Sequence, residues 1–447
     1  MNPETLALVM FGTLLITLFL GHPLAFSLGI LALVFGVIGW GGSMDVVFGL
    51  LANRAYGVME EYVLVAVPLF IFMAQVLDST GIAERLFESM HILMGPVRGG
   101  LALAVILACT VFAATAGVVG ATEVSVGLLA VPALMTRKYH IPLIAGSICA
   151  GGTLGIIIPP SIMLVVYGSL AAVSVGHLYA AAFGPGLLLS SLYLGYIAIF
   201  CAFNPQYGPP LPKEERVYSA GYKIKIFVVS LLPAVVLVVV VLGSILAGVA
   251  TPTEAAGMGC AGAVLLAIVY KKFSWKALYD ASWATFLTTS MVMTLFLGGN
   301  AFQAIFMGLG GGDVVTNLLV GAELGYYGTL FVMMGIVFFL GMFIDWLGIL
   351  LIVIPIFVPV AMEMGYNQIW FSILICVNLQ MAFLTPPFGY SLFYLRGIAP
   401  PEMTIVHIYR GVIPFIVLQW VALIACIVYP EVILWLPKVA FGAAAIK

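Results

Sequence analysis

Apolar stretches fill most of the chain, although several are too short or too broken to cross a lipid bilayer alone. They lie near residues 5–21, 24–40, 63–78, 98–114, 120–136, 142–166, 178–201, 226–250, 254–270, 283–305, 327–345, 347–363, 369–395 and 405–429. A spanning helix needs about 20 mostly apolar residues, and in hydrocarbon every backbone donor and acceptor must find an internal partner. Only 8% of the 447 residues are charged. The sequence therefore predicts an all-α polytopic membrane protein embedded in a lipid bilayer.

The charges and cysteines argue against several other classes of protein. The net charge is −2, so we expect no basic face for nucleic acid. The glycine-rich segment GLGGGD (308–313) lacks the spacing and the lysine of a phosphate-binding loop, which argues against ATP-driven transport by this chain. The six cysteines lie inside apolar runs without metal-ligand spacing, so we interpret them as packing residues.

Lysines and arginines in short loops predict the orientation, because cytoplasmic loops carry an excess of them. If only Arg54, Lys438 and Lys447 lie outside, the other thirteen of the 16 basic residues lie in the cytoplasm. This arrangement requires the runs 98–114 and 120–136 to enter and leave on one side, as two full spans or as a re-entrant hairpin. The N-terminus then lies outside, and the first run, which lacks the features of a signal peptide, is expected to be a retained span.

An internal duplication appears when the sequence is shifted by 227 residues. The first copy then lies on the second as Pro132 on Pro359, Pro159-Pro160 on Pro386-Pro387, Tyr167 on Tyr394 and, after a two-residue insertion, Pro185 on Pro414. Inverted-topology repeats of this kind are typical of secondary transporters, whose sites lie at broken helices near the bilayer midplane.

The basic residues differ between the two copies in a way that predicts inversion. Arg137-Lys138 corresponds to the uncharged pair Met364-Gly365, and Arg396 corresponds to the uncharged Ser169. If basic loops face the cytoplasm in both copies, the copies have opposite orientations in the membrane.

Each copy contains a double proline in the middle of an apolar run. In GGTLGIIIPPS (151–161) and NLQMAFLTPPFGYS (378–391) the prolines remove backbone donors, so we expect both helices to unwind there. Non-helical backbone at membrane depth is tolerated where it is buried in protein or lines a watery cavity. The freed carbonyls and nearby oxygens could bind Na⁺, and two kinked helices of purely structural value are the alternative.

A second loosened segment precedes each double proline and contains an acidic residue. Glu123 follows ATAGVVGAT (114–122), and Asp345 lies in GMFIDWLG (341–348). A charge near the bilayer centre costs at least about 2.5 to 3.5 kcal/mol and marks a functional position. Either carboxylate could ligate an ion, relay a proton or cap a helix N-terminus.

The chain resembles the large membrane subunit of TRAP (tripartite ATP-independent periplasmic) transporters. The resemblance rests on the two double-proline segments, on GMFIDWLGILLIVIPIFVPV (341–360) and on the overall length. It implies an elevator-type transporter, similar to the ion transporter superfamily, with an inverted repeat, two re-entrant helical hairpins and two unwound transmembrane helices. The implied segments are 1–62 and 204–280 for the scaffold with its cytoplasmic loop, 63–203 and 281–429 for the transport domain, 92–137 and 327–364 for the hairpins, and 430–447 for the C-terminal segment.

The resemblance and the motifs together assign candidate site residues. The first Na⁺ site is predicted to contain Gly117, Thr122, Glu123, Gly152, Thr153 and Pro159. The second is predicted to contain Asp345, Gly348, Asn378, Gln380, Thr385 and Pro386. Substrate is predicted to contact Thr115, Thr153, Ser161 and Thr385.

The first hairpin departs from the pattern G-x-S-G-S-S-x-A-D that many family members carry. The aligned residues here are 114–122, in which Gly117 is retained and Thr122 stands at the acid position. Glu123 lies one residue further on, and its carboxylate would point about 100° around a helix from the usual place. Asp345 matches the acid of the second hairpin directly.

The resemblance also implies a function and partners. We expect Na⁺-coupled import of a carboxylate or sulfonate across the bacterial inner membrane, with a small four-helix membrane subunit and a periplasmic binding protein that delivers the organic acid. A stand-alone Na⁺/anion symporter of similar architecture is the alternative. A channel or an enzyme is disfavoured because the sequence shows no pore-lining charged ring and no paired catalytic residues.

The predicted inversion is testable by cysteine accessibility in intact cells and inverted vesicles. Cysteines at Lys138 and Arg396 should react with an impermeant reagent from the cytoplasmic side, and a cysteine at Gly365 should react from the periplasm. Cytoplasmic labelling at Gly365 would rule out the inverted repeat.

Overall fold

The structure is a computed structural model that describes residues 2–117, 119–212, 214, 218–387 and 389–442. Within these residues the regular structure is helical. The α-helices are α1 (Pro3–Phe19), α2 (Leu24–Gly39), α3 (Met44–Glu60), α4 (Ala66–Ser79), α5 (Ile82–Met94), α6 (Gly100–Ala116), α7 (Val119–Thr136), α8 (Ile141–Ile157), α9 (Ile162–Ala171), α10 (Val175–Phe203), α11 (Ala220–Leu246), α12 (Pro252–Val269), α13 (Trp275–Gly308), α14 (Gly311–Val320), α15 (Gly325–Gly341), α16 (Trp346–Glu363), α17 (Gln368–Ala382), α18 (Tyr390–Ile398), α19 (Ile405–Val428) and α20 (Glu431–Phe441).

The helices confirm a polytopic membrane protein. Seven of those in the described ranges are long and apolar enough to cross a membrane, and the bent pair α8 and α9 makes an eighth candidate. Helix α11 leaves most of its apolar surface exposed, as expected for a helix that faces lipid. The six cysteines are buried and form no disulfide, which agrees with their interpretation as packing residues.

Four helices lie outside the apolar runs that the sequence predicts: α3, α5, α14 and α20. Helix α5 shows why they were missed. Ile82, Leu86 and Met90 are buried on one face, whereas Glu84 and Glu88 are exposed. An amphipathic helix of this kind lies along a surface and carries no continuous apolar run.

The internal duplication extends over nearly the whole chain. A shift of 227 residues lays α1 on α11, α2 on α12, and α3 with α4 on the single long helix α13. The packing follows the same correspondence: α2 packs against α13 as α12 packs against α4, and α7 packs against α18 as α16 packs against α9. Each half therefore completes its core with helices of the other half.

Both segments with a double proline are interrupted there. Helix α8 ends at Ile157 and α9 begins at Ile162, with a bend of 41°. Helix α17 ends at Ala382 and α18 begins at Tyr390. The prolines lack N–H groups and cannot donate to the carbonyls one turn earlier. The predicted break of both helices is confirmed, and both Pro-Pro peptide bonds are cis.

The two halves approach each other closely between α8 and α19. A Cβ added to Gly146 would lie 2.1 Å from the carbonyl oxygen of Gly411, and a Cβ added to Gly411 would lie 2.1 Å from that of Pro142. The two backbones are thus in direct contact at this crossing, as small residues allow in membrane proteins. The crossing holds the first broken helix against the second half.

This contact predicts that Gly411→Ala destabilises the protein. The methyl group meets backbone atoms that cannot rotate away, and overpacking of this kind costs about 1 to 3 kcal/mol. Gly335→Ala is the matched control, because Gly335 is also helical but has nothing within 4 Å of its added Cβ. Thermal unfolding of the purified proteins should show a lower midpoint for Gly411→Ala alone, and equal midpoints would contradict the assignment.

Candidate functional site

One cavity of about 1250 Å³ touches all four interruptions of the helical backbone. Residues of the turn between α6 and α7 and of the turn between α15 and α16, and residues at the edges of the two double-proline breaks, contribute to its wall. The lining residues from these segments are Gly117, Val119 and Gly120; Phe343, Ile344 and Asp345; Ile156, Ile162 and Met163; and Phe383 and Tyr390.

Four helices begin at this cavity. The first residues of α7, α9, α16 and α18, which are Val119, Ile162, Trp346 and Tyr390, all line it. The first turn of a helix has N–H groups without intrahelical partners, and its dipole favours negative charge. The arrangement is therefore suited to bind an anion through backbone groups.

The turn between α6 and α7 contacts the first double proline. Gly117 has φ +62°, and a Cβ added there would lie 2.7 Å from the carbonyl oxygen of Pro160. Only a residue without a side chain allows this approach together with the left-handed backbone. The structure thus brings the predicted residue Gly117 against the proline break that contains Pro159.

Glu123 lies one turn inside α7, away from the turn itself. Its Oε2 accepts a hydrogen bond of 2.7 Å from Ser391 Oγ of α18, and its Cβ lies 2.8 Å from the position of a Cβ added to Gly152. Its buried Oε1 has no hydrogen-bond partner among the described residues. The cluster of Glu123, Gly152 and Ser391 joins the first hairpin segment to both broken helices.

Thr153 and Gln380 were assigned to different ion sites, and the structure brings them together. Gln380 Nε2 donates to Thr153 Oγ1 at 3.3 Å. The two residues are 227 positions apart, so they occupy equivalent places in the two copies and meet where α8 packs against α17. Gln380 Oε1 is buried without a partner in the described part of the chain.

Asp345 lies at the second turn and caps α16. Its Oδ2 accepts from the backbone N–H of Leu347 at 3.4 Å, and the residue lines the cavity. Gly348 packs against Leu24 of α2, where an added Cβ would lie 2.0 Å from Leu24 Cδ2. Gly341 at the end of α15 packs closely on α17, where an added Cβ would lie 2.2 Å from Ala382 Cβ.

Asn378 and Thr385 lie on α17 and in the break that follows it. Asn378 Nδ2 donates to the carbonyl oxygen of Met334 on α15 at 2.6 Å, which leaves Oδ1 buried and without a partner among described residues. Thr385 Oγ1 donates to the carbonyl oxygen of Met381 at 2.7 Å. Pro386 follows directly and is half-buried.

The hydroxyl groups of the predicted substrate residues donate within their own segments. Thr115 donates to Phe112, Thr153 to Ala150, Ser161 to Ile156 and Thr385 to Met381, in each case to a backbone carbonyl. A hydroxyl whose hydrogen is engaged offers only lone pairs. These hydroxyls are therefore better placed to face a cation than to donate to an anionic substrate.

The two acids occupy different places in their hairpin segments. The shift of 227 residues lays Asp345 on Val118, which is outside the described residues, and lays Glu123 on Leu350. Thr122 is buried in the first turns of α7 together with Glu123. Glu123 is thus not the positional equivalent of Asp345.

Sequence reasoning missed three polar residues of the site. Ser391 bridges the halves, since its N–H donates to the carbonyl oxygen of Phe383 while its hydroxyl reaches Glu123. Asp78 lies on the cavity wall and accepts a hydrogen bond from Ser125 of α7. Asp78 is the last residue of the predicted apolar run 63–78. An acidic residue in an apolar run was the sequence feature that could have indicated its place in the site.

The sequence and fold are similar to those of known transport proteins. The family model of the tripartite ATP-independent periplasmic transporter DctM component matches residues 11–432. The chain belongs to this family. It is similar to the C4-dicarboxylate TRAP transporter large permease protein DctM of Vibrio cholerae, with 30% identity over 94% of this chain and 95% of the relative. It is also similar to the ectoine/5-hydroxyectoine TRAP transporter large permease protein UehC of Ruegeria pomeroyi, with 30% identity over 98% and 100%.

A solved structure resembles the fold. The crystal structure of the Alcanivorax borkumensis YdaH transporter aligns over 100% of both chains with a TM-score of 0.63 and 15% sequence identity. Identity this low shows likeness of fold alone. Together the comparisons confirm the predicted family: the chain is the large permease of a TRAP transporter in the bacterial inner membrane, and it is a transporter component, not an enzyme.

The contact of Gly117 with Pro160 predicts a loss of function in Gly117→Ala. The left-handed backbone costs a non-glycine residue about 1 to 2 kcal/mol, and the added methyl group would push the turn from the proline break. Gly365→Ala is the control, because Gly365 has φ +72° but nothing within 4 Å of an added Cβ. Transport assays should show a clear loss for Gly117→Ala only, and equal activity of the two variants would argue against the contact.

Proposed function

We propose that this TRAP permease imports an organic acid together with Na⁺, and that both bind at the cavity where the four backbone interruptions meet. The observation that carries the proposal is that four helix N-termini and the carboxylate of Asp345 line the same cavity. The N-termini favour the carboxylate or sulfonate group of the substrate, and a cation beside Asp345 reduces repulsion between the two anions.

Buried oxygens without partners support the binding of Na⁺. Hard cations prefer oxygen ligands, and Glu123 Oε1, Asn378 Oδ1 and Gln380 Oε1 accept no hydrogen bond from the described residues. Gly117, Thr122, Gly152, Thr153 and Pro159 remain the proposed surroundings of the first ion. Asp345, Gly348, Thr385 and Pro386 remain those of the second, with Asn378 and Gln380.

We further propose an elevator mechanism with an inverted repeat and two re-entrant hairpins. Helices α8, α10, α17 and α19 pack against one another, whereas α2, α4, α12 and α13 form a second packed group. We assign the first group to the moving domain and the second to the scaffold, which moves the domain boundaries from 63 and 281 to the ends of α4 and α13.

The cavity is consistent with an inward-facing state. It reaches Gly21, His22 and Pro23, in the turn between α1 and α2, and Asp78 in the last turn of α4. With the N-terminus outside, both places lie near the cytoplasmic side. Substrate would leave by this path.

The family name implies three components, so we propose that a small membrane subunit and a periplasmic binding protein work with this chain. The named substrates of the relatives, C4-dicarboxylates and ectoines, are organic acids, which supports an organic acid here. Proteoliposomes that contain both membrane subunits should accumulate such an acid only with the binding protein and an inward Na⁺ gradient. Uptake without the binding protein would favour a stand-alone symporter, and uptake indifferent to Na⁺ would refute the coupling.

Substitutions at Asp345 separate an ion ligand from a helix cap. Asn caps a helix as well as Asp but lacks the charge, so Asp345→Asn should raise the Na⁺ concentration for half-maximal uptake at least about tenfold, which corresponds to about 1.4 kcal/mol. Asp313→Asn, at an exposed acid of α14, is the control. If Asp345→Asn behaves like the wild type and only Asp345→Ala fails, Asp345 is a cap.

A further inference from the structure

Asp78 is a carboxylate of the cavity wall that the proposed Na⁺ sites do not use. Ile71, Gln75 and Asp78 all line the cavity, and their spacing places them on one face of α4. Ser125 Oγ donates to Asp78 Oδ1, and a carboxylate keeps further lone pairs for other partners. The position equivalent to Asp78 in the second copy is the buried Ile305, so this acid belongs to one side of the cavity only.

The fixed charges around the cavity are negative. Asp78 on α4 and Asp345 on α16 line it, and no Lys or Arg is among its described lining residues. A partly buried carboxylate is costly unless it has a partner. The proposed Na⁺ offsets Asp345, whereas among the described residues the carboxylate of Asp78 has only the neutral hydroxyl of Ser125 as a partner. A substrate with negative charge alone would be repelled by the carboxylate of Asp78.

Aromatic rings add a second feature of the wall that suits a cation. Phe19 and Phe343, whose centroids are 4.9 Å apart, both line the cavity, and so do Phe383 and Tyr390 at 6.0 Å. The faces of such rings attract ammonium groups. The helix N-termini at the same cavity favour a carboxylate, so the wall offers complementary sites for both charges.

Resting on the proposed function, we propose that the substrate is an organic acid that also carries a positively charged nitrogen, and that Asp78 binds this nitrogen. The four helix N-termini receive the carboxylate of the same molecule. Asp78 is in this view a specificity-determining residue that selects zwitterions over simple anions.

Pairs of isosteric acids test the proposal directly. Glycine betaine and 3,3-dimethylbutanoate have the same shape and differ in a single atom, N⁺ against C, and 4-aminobutanoate and pentanoate form a second pair. Each acid is added in saturating NaCl to the purified, assembled transporter, and thermal unfolding reports binding because a ligand of the folded state raises the midpoint. The zwitterion of at least one pair should bind at least about tenfold tighter than its isostere.

Two variants test whether Asp78 is the residue that causes the preference for zwitterions. Asp78→Asn should remove the preference for the zwitterion, whereas Ser125→Ala, which removes the hydrogen bond but keeps the carboxylate, should retain it. Equal loss in both variants would mean that Asp78 only holds α7 in place and would overturn the proposal. The wild-type comparison of isosteres decides the question even if Asp78→Asn does not fold.

The remaining outcomes separate this proposal from the proposed function. Stabilisation by succinate or isethionate, with no zwitterion bound more tightly than its isostere, would overturn the role of Asp78 and leave organic-acid import intact. If no organic acid is bound or imported in any Na⁺-dependent manner, the proposed function itself fails, and this proposal with it.

Discussion

Inside a bilayer, every backbone N–H and C=O group needs a hydrogen-bond partner from the protein, and the rest of this structure depends on that constraint. A helix satisfies its own groups, so each interruption must be compensated by neighbouring protein or by what binds there. Proline pairs interrupt α8/α9 and α17/α18, and the compensation is partly visible: Ser161 Oγ donates to the carbonyl oxygen of Ile156, and the N–H of Ser391 donates to that of Phe383. The interruptions are tolerated because the other half of the molecule encloses them.

The duplication explains how this enclosure arises. Equivalent helices of the two copies pack reciprocally, and the equivalent residues Thr153 and Gln380 meet in a hydrogen bond. The two copies can then differ in sequence at single positions, because equivalent segments meet where the two halves pack. Glu123 and Asp78 have apolar counterparts in the second copy, Leu350 and Ile305. The paired framework thus accommodates acidic residues in one half at positions where the other half has apolar residues.

The sequence predicted the helices and their breaks better than it predicted the contacts between the two halves. Apolar runs and double prolines report local preferences, so the helices and their breaks could be located from them. The amphipathic helix α5 carries no long apolar run and was missed. The partners of Glu123 could not be foreseen, because Ser391 lies 268 residues away and their contact depends on how the two halves pack. The close packing of Gly348 against Leu24 of α2 could not be foreseen for the same reason, and its place in the second ion site stays a prediction.

The central claim is that the four backbone interruptions form one site for ion and substrate. Electron cryomicroscopy of the assembled transporter in NaCl, with a transported organic acid bound, tests it most directly. The account predicts substrate density in the cavity between Gly117 and Asp345, and ion density in contact with the backbone of the double-proline segments. Substrate density outside this cavity would contradict it. Ion density coordinated only by side chains remote from both double-proline breaks would also contradict it.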